Sequence, residues 1–196
     1  MNIISVNVAR IGPLFNPASA NGHQVATAIH KQPLAGRVAV GRLGLEGDAQ
    51  ADRRLHGGPG KAVYAYPLEH YAFWQAQRRL AGKGDAPLVH GALGENLTIE
   101  GLLEDACWIS DQLAVGTALL EVAEVRTPCF KLNVKMGLSH VARLMDQSGY
   151  TGFYLRVLQP GTIAAGDAVR LLPGPRTVSI AQINASRRTA RQPDLF

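Results

Sequence analysis

Glycine and proline punctuate this chain so densely that a long helix has little room, with 21 glycines and 11 prolines spread through 196 residues. Glycine costs backbone entropy inside a helix, and proline removes a helical hydrogen bond, so this spacing favours short strands joined by turns. The length suits one sizeable core and does not require a second domain. We therefore expect a mainly β barrel with a few helices over residues 1–175. A short helical to disordered basic tail is expected over 176–196, with Arg187 onward dispensable for folding.

The pattern along the chain gives provisional elements. Residues 2–11 alternate branched apolar and polar side chains (Ile4, Val6, Val8), as a half-buried strand does. A Gly-Pro and Asn-Pro loop follows, then strands over 24–31 and 37–45. Residues 46–61 are polar, glycine-rich and without a period, which reads as a long loop. Ala62 to Tyr66 is strand-like, and Pro67 is expected at the first position of a helix that fades near Gly82. Extended structure is expected again at Cys107–Ile109. LAVGTALLEV and IAAGDAVRLL echo each other as strands bent at a glycine, and Val141, Leu144 and Met145 mark a short amphipathic helix ended by Gly149.

Charge and cysteine usage exclude several classes. The net charge of +5 favours anionic ligands in general. No helix-turn-helix, zinc-finger or RRM pattern accompanies it, so specific nucleic-acid binding is not expected. Two cysteines, Cys107 and Cys129, rule out a disulfide scaffold and a four-cysteine zinc site. No apolar run approaches the ~18 residues of a membrane span, and the opening lacks a secretory pattern, so a cytoplasmic protein is expected.

Three segments carry candidate chemistry: GLEGDAQADRRLHGGPGKAVYAYPLEHY from Gly44, HGALGENLTIEGL from His90, and VRTPCFKLN from Val125. Glycine beside ionisable residues lets backbone N–H groups approach an anion. Cys129 lies near Arg126 and Lys131, whose charges favour a thiolate, although a lone cysteine is more often a small buried hydrophobe. Cys107, within ACWI, takes the buried reading. His56 is a ligand, a proton donor or a loop brace, and Asp48, Asp52 and Glu46 equally suit turn capping. Lys61, Arg53 and Arg54 read as surface charges.

Taken together and in order, GLEGD, HGG with the following Lys61 and YPLEHY, GENL and PCFKLN resemble the MOSC family, named for the C-terminal domain of molybdenum cofactor sulfurase, and in particular its YiiM-like branch. The resemblance implies a β-barrel that binds a molybdenum–molybdopterin cofactor, with Cys129 as the protein's ligand to the metal. It implies a molybdenum-dependent oxidoreductase that removes oxygen from N-hydroxylated compounds such as 6-hydroxylaminopurine. Cys129, His56 and Asp48 would then be catalytic. Gly47, Gly57, Gly58, Lys61, Glu95, Asn96, Arg126 and Lys131 would hold the cofactor. With no flavin motif or iron–sulfur cysteines in the sequence, electrons would come from a separate flavodoxin or flavin reductase. Two other readings are a carrier of persulfide sulfur on Cys129 and a non-catalytic pterin-binding module.

Overall fold

The structure, a computed structural model, describes residues 1–15, 24–52 and 57–191. The amino-terminal part holds β1 (Asn2–Val8), β2 (Gly12–Phe15), β3 (Gln24–Thr27), β4 (Gln32–Pro33), β5 (Val38–Gly41) and β6 (Gly44–Leu45). After the long loop come β7 (Val63–Pro67), α1 (Tyr71–Leu80), β8 (Leu97–Glu100), β9 (Gln112–Val115) and β10 (Ala118–Val125). The chain continues through α2 (Phe130–Met136), α3 (Val141–Ser148), β11 (Phe153–Gln159), β12 (Gly161–Ile163), β13 (Val169–Leu172) and α4 (Ile180–Arg191).

Eight strands form one sheet in the order β13-β9-β10-β11-β7-β8-β1-β4, antiparallel except for β7 and β8. The sheet curls until the approach to β13 reaches β1, one strand in from the other end. Ile3 N donates to Asp167 O at 2.9 Å, Gly166 N to Ile3 O at 2.7 Å and Val169 N to Met1 O at 2.9 Å, which joins β1 to the approach to β13. Closure leaves fewer unpaired edge groups for water or another chain. The smaller sheet β12-β5-β6 and the hairpin β2-β3 extend this framework.

Two apolar cores lie on opposite faces of the same strands. Every residue of β7 is buried. Val63 and Ala65 point into the barrel core with Leu97, Leu120 and Phe153. Tyr64 and Tyr66 point the other way, into a second core with Trp74 of α1, Leu132 of α2 and Met145 of α3. Alternation thus persists in β7 although neither face meets solvent.

Several expectations are corrected here. The first strand is broken by a register shift between Ile3 and Ser5. This bulge turns Ile3 and Val6 fully inward and leaves Ile4 and Val8 half-buried. The Gly-Pro stretch is strand β2, not loop, because it pairs with β3 from Gly12↔Thr27 to Phe15↔Gln24. The third expected strand is two, folded back between Val40 and Leu45. Pro67 ends β7, and α1 starts four residues later after a 3-10 turn. Cys107–Ile109 forms no strand; Trp108 makes an isolated bridge to Ser179. The basic segment at Arg187 and Arg188 continues α4, where Arg187 donates to Thr127 Oγ1 at 3.0 Å.

The helix at Val141–Ser148 ends at Gly149 in the left-handed conformation, as its pattern predicts. Both echoed segments bend at a positive-φ glycine, Gly116 and Gly166. Among the described residues no helix is long and apolar enough to cross a membrane.

Gly152 immediately precedes β11, beside β7, with φ at 62°. A Cβ there would sit 2.4 Å from Ala65 O and 2.9 Å from the Tyr66 ring. Gly166 has a similar φ of 88° with nothing within 4 Å. Gly166→Ala should therefore cost about 1–2 kcal/mol from backbone strain alone. Gly152→Ala should cost about 1–3 kcal/mol more through overpacking. Urea unfolding of the two variants checks the difference, and equal losses would contradict the close approach.

Candidate active site

Asp48 anchors the candidate site. Its side chain is 5% exposed, and its carboxylate accepts from three chain segments. Oδ1 takes Ala9 N at 2.8 Å and the Lys31 ammonium, and Oδ2 takes Asn96 Nδ2 at 2.9 Å. Asn96 in turn donates to Asn7 O at 3.1 Å and accepts from Tyr64 N at 3.1 Å. A carboxylate removed from water needs such donors, and each donor here belongs to a different strand or loop.

Around this anchor the three sequence motifs converge on one pocket. Asp48 and Lys61 come from the first, Gly94 and Asn96 from the second, and Arg126, Cys129 and Lys131 from the third. The pocket also takes Lys31 and Ile29 from the segment after β3, and the rings of Tyr64 and Tyr154. Four cations, Lys31, Lys61, Arg126 and Lys131, thus face two carboxylates, Asp48 and Asp52. The balance favours an anionic ligand.

A second bulge aims the third motif. The register of β10 on β11 shifts between Val122 and Glu124, so Val122 and Val125 both face the barrel core. Glu124 is thereby set opposite Tyr154, on the helical side. Arg126, the next outward residue, lies 4.7 Å from the centroid of the Tyr64 ring and donates to Tyr64 Oη at 3.3 Å. It is only 6% exposed, yet a guanidinium stays charged at any working pH. Cys129 follows as the residue before α2, half-buried, with φ −137°.

The expected residues divide by position. Asp48, Asn96, Lys61, Arg126, Cys129 and Lys131 line the pocket. Glu95 does not: it is fully buried, its carboxylate accepting from Tyr71 Oη, Gly91 N at 2.8 Å, Leu93 N at 3.0 Å and Thr98 Oγ1 at 3.1 Å. Its role is to shape the loop that presents Asn96. Gly57 and Gly58 sit behind Gln50, whose Oε1 accepts from Gly58 N at 2.9 Å, and Gly47 also lies off the pocket wall. His56, Arg53 and Arg54 lie outside the described residues. Cys107 is fully buried, and burial pushes its thiol well above its ordinary pKa.

Sequence reasoning missed Lys31, Tyr64, Tyr154 and Lys135. Lys31 lay within a segment read as strand. Lys135 is on α2, and its ammonium donates to Ile29 O at 2.6 Å and to Gly91 O, which ties α2 to the two loops that carry Lys31 and Asn96. A lysine after PCFKLN carries no local signal of this role.

Among the described residues no three His, Cys, Asp or Glu side chains cluster to hold a metal ion. A metal in this pocket would therefore bring most of its ligands with it. The donor set fits a molybdenum–pterin cofactor in chemistry: one thiol for a sulfur-rich metal, and cations for a phosphate-bearing tail.

Burial, opposed by Glu95 and assisted by Arg126 and Lys31, holds the Lys135 pKa down to about 8. The unfolded chain keeps that proton to about 10.5. Between those values the unfolded state binds more protons, so stability rises with pH. A Lys135→Met variant lacks this slope. Relative to that variant, the wild type should gain about 3 kcal/mol of unfolding free energy between pH 7 and pH 10.5. Urea titrations of both proteins at the two pH values measure it, and a constant difference would contradict it.

The family model for the MOSC domain matches residues 52–170. YflK of Bacillus subtilis is 38% identical over 184 residues, 93% of this chain and 79% of its own. A chain from Gibberella moniliformis named "Reductase" is 36% identical over 157 residues, 80% of this chain but 27% of that longer protein. The crystal structure of YiiM from Geobacillus stearothermophilus superposes with a TM-score of 0.76 at 35% identity, covering 98% of this chain and 86% of that one. Its motifs, its curled sheet and these relatives agree: this chain belongs to the MOSC domain family, in company with YiiM.

Proposed function

We propose that this chain is a molybdenum-cofactor-dependent reductase that removes the oxygen of N-hydroxylated compounds, 6-hydroxylaminopurine-like bases among them. The observation that carries the reading is the meeting of the Cys129 thiol with Lys31, Lys61, Arg126 and Lys131 at one pocket. MOSC membership and the "Reductase" name of the fungal relative support an oxidoreductase. When bound, the cofactor supplies two-electron redox chemistry at oxygen.

The chain's own residues bind, orient and shield. Cys129 is the ligand that this pocket offers a soft metal. Arg126 and Lys131 flank it and neutralise the cofactor's negative charge, and Lys61 extends the same field toward the first motif. Asp48 and Asn96 are too fully engaged with backbone and Lys31 to turn freely, so they hold the wall in register rather than follow the substrate. The Tyr64 and Tyr154 rings line the pocket's helical side and limit water. Electrons come from a separate flavodoxin or flavin reductase.

The two cysteines provide the test, because they should respond oppositely. Cys129→Ser exchanges a soft sulfur for a hard hydroxyl at nearly constant volume. In cofactor-loaded protein supplied with an external electron donor, reduction of 6-hydroxylaminopurine should collapse, while the melting temperature holds. Cys107→Ser should keep the activity and lose about 1 kcal/mol of stability. Molybdenum near one per chain in the wild type supports the reductase. Sulfane sulfur on Cys129 without metal would favour the persulfide carrier instead.

A further inference from the structure

Lys31 is a buried pocket cation, and its proton has no role in the account above beyond its charge and its bond to Asp48. Its side chain is 8% exposed, and among the described residues its ammonium hydrogen-bonds to Asp48 alone. An ammonium has three N–H bonds. Asp48 engages one, and Asp48 itself is fixed by Ala9 N and Asn96 Nδ2. The lysine is thus clamped by its carboxylate partner at the wall of the pocket that also holds Cys129.

We propose that Lys31 is a catalytic residue: its ammonium, clamped by Asp48, binds the hydroxyl oxygen of an N-hydroxylated substrate and gives it the proton with which it leaves as water. This rests on the reductase reading above. The other cations are worse placed as acids. Arg126 is an arginine, which does not give up its proton at working pH. Lys61 is paired with the exposed Glu124 at 3.4 Å, and Lys131 reaches out to Ala26 O at 3.4 Å.

The surroundings of Lys31 suit an acid. Burial lowers its pKa, while Asp48 and Glu95 pull the other way. Lys135 of α2 faces it as a like charge. Asp52, Lys61, Arg126 and Lys131 share the pocket. The net result is a lysine more acidic than a free one. In the step, the N–O bond breaks and takes up two electrons, which the flavin-type donor supplies. Lys31 Nζ protonates the departing oxygen to give water. A solvent proton completes the amine, and Lys31 regains its own proton from water.

Lys31→Arg and Lys31→Met, with molybdenum per chain and melting temperature measured beside the rate, test this. Both should lose at least ~100-fold in kcat at wild-type cofactor content. The arginine variant should keep KM, because it retains the charge, and the methionine variant should raise it. Wild-type kcat should fall as pH rises through the Lys31 pKa, and that limb should vanish in Lys31→Arg. A second readout needs no cofactor: in nitrogen-15 NMR of the cofactor-free wild type, the amine signal that disappears in Lys31→Arg should titrate below 10.5. Full kcat in loaded Lys31→Arg, or an ordinary lysine titration for that signal, overturns the assignment while leaving the reductase reading intact. Loaded wild type that reduces no N-hydroxylated compound overturns the reductase reading, and Lys31's role falls with it.

Discussion

The burial of the Asp48 carboxylate constrains everything near the pocket. An ionised side chain 5% exposed must be matched by donors, and the fold brings them from Ala9 after β1, Lys31 after β3 and Asn96 before β8. These groups are far apart in sequence and share no helix or hairpin. They meet only when the sheet has paired β1 with β8 and β8 with β7. The interaction is therefore a product of the finished barrel, and it converts correct strand pairing into correct placement of one cation and one amide at the site.

The second determinant is that β7 and the first residues of β11, Phe153 to Leu155, are covered on both faces. Inside is the aliphatic barrel core, and outside are the rings of Tyr64, Tyr66 and Tyr154 under α1, α2 and α3. A pocket at the boundary between these layers can draw on strand ends, helix starts and loops together. The bulge at Val122/Glu124 exploits this position, since a regular strand would have turned Glu124 inward. With the bulge, the strand's last inward residue is Val125, and Arg126 emerges against Tyr64 with Cys129 three residues on.

Much of this was legible in the sequence, and the rest was hidden for definable reasons. Short-range signals read well: Gly149 ended its helix, and the glycine-bent segments turned where their small residues stood. The motifs carrying Asp48, Asn96 and Cys129 stand out in the sequence, and the structure brings them to one pocket. Bulges did not show, because an alternating pattern contains no mark of where the alternation slips, as at Ile3/Ser5. Strand β2 was obscured by Gly12 and Pro13, which pass for a turn until a partner strand is known. Glu95 was misplaced for a similar reason: a carboxylate in a glycine-rich loop suggests a ligand, and only the structure reveals four inward donors. Lys31 and Lys135 had no local signature at all, since their partners are 17 residues away or more.

The placement of lysines gives the last step of the argument. A fold that needed only to neutralise Asp48 would be served by the amide and ammonium already on it. Arg126 instead is buried against a tyrosine ring and, among the described residues, has no carboxylate bonded to it, so its desolvation is not offset there by an ion pair. Lys135 is held on two carbonyls, and burial first, then the nearby charges of Arg126 and Lys31, lower its pKa. Such an excess of positive charge is unfavourable for the isolated chain, and an anion bound in the pocket would relieve it. Ligand binding and stability are thereby linked: an anion that binds the folded chain alone stabilises it in proportion to its own affinity. The pocket beside Cys129 thus favours a negatively charged occupant through the arrangement of its cations, more than through the thiol alone.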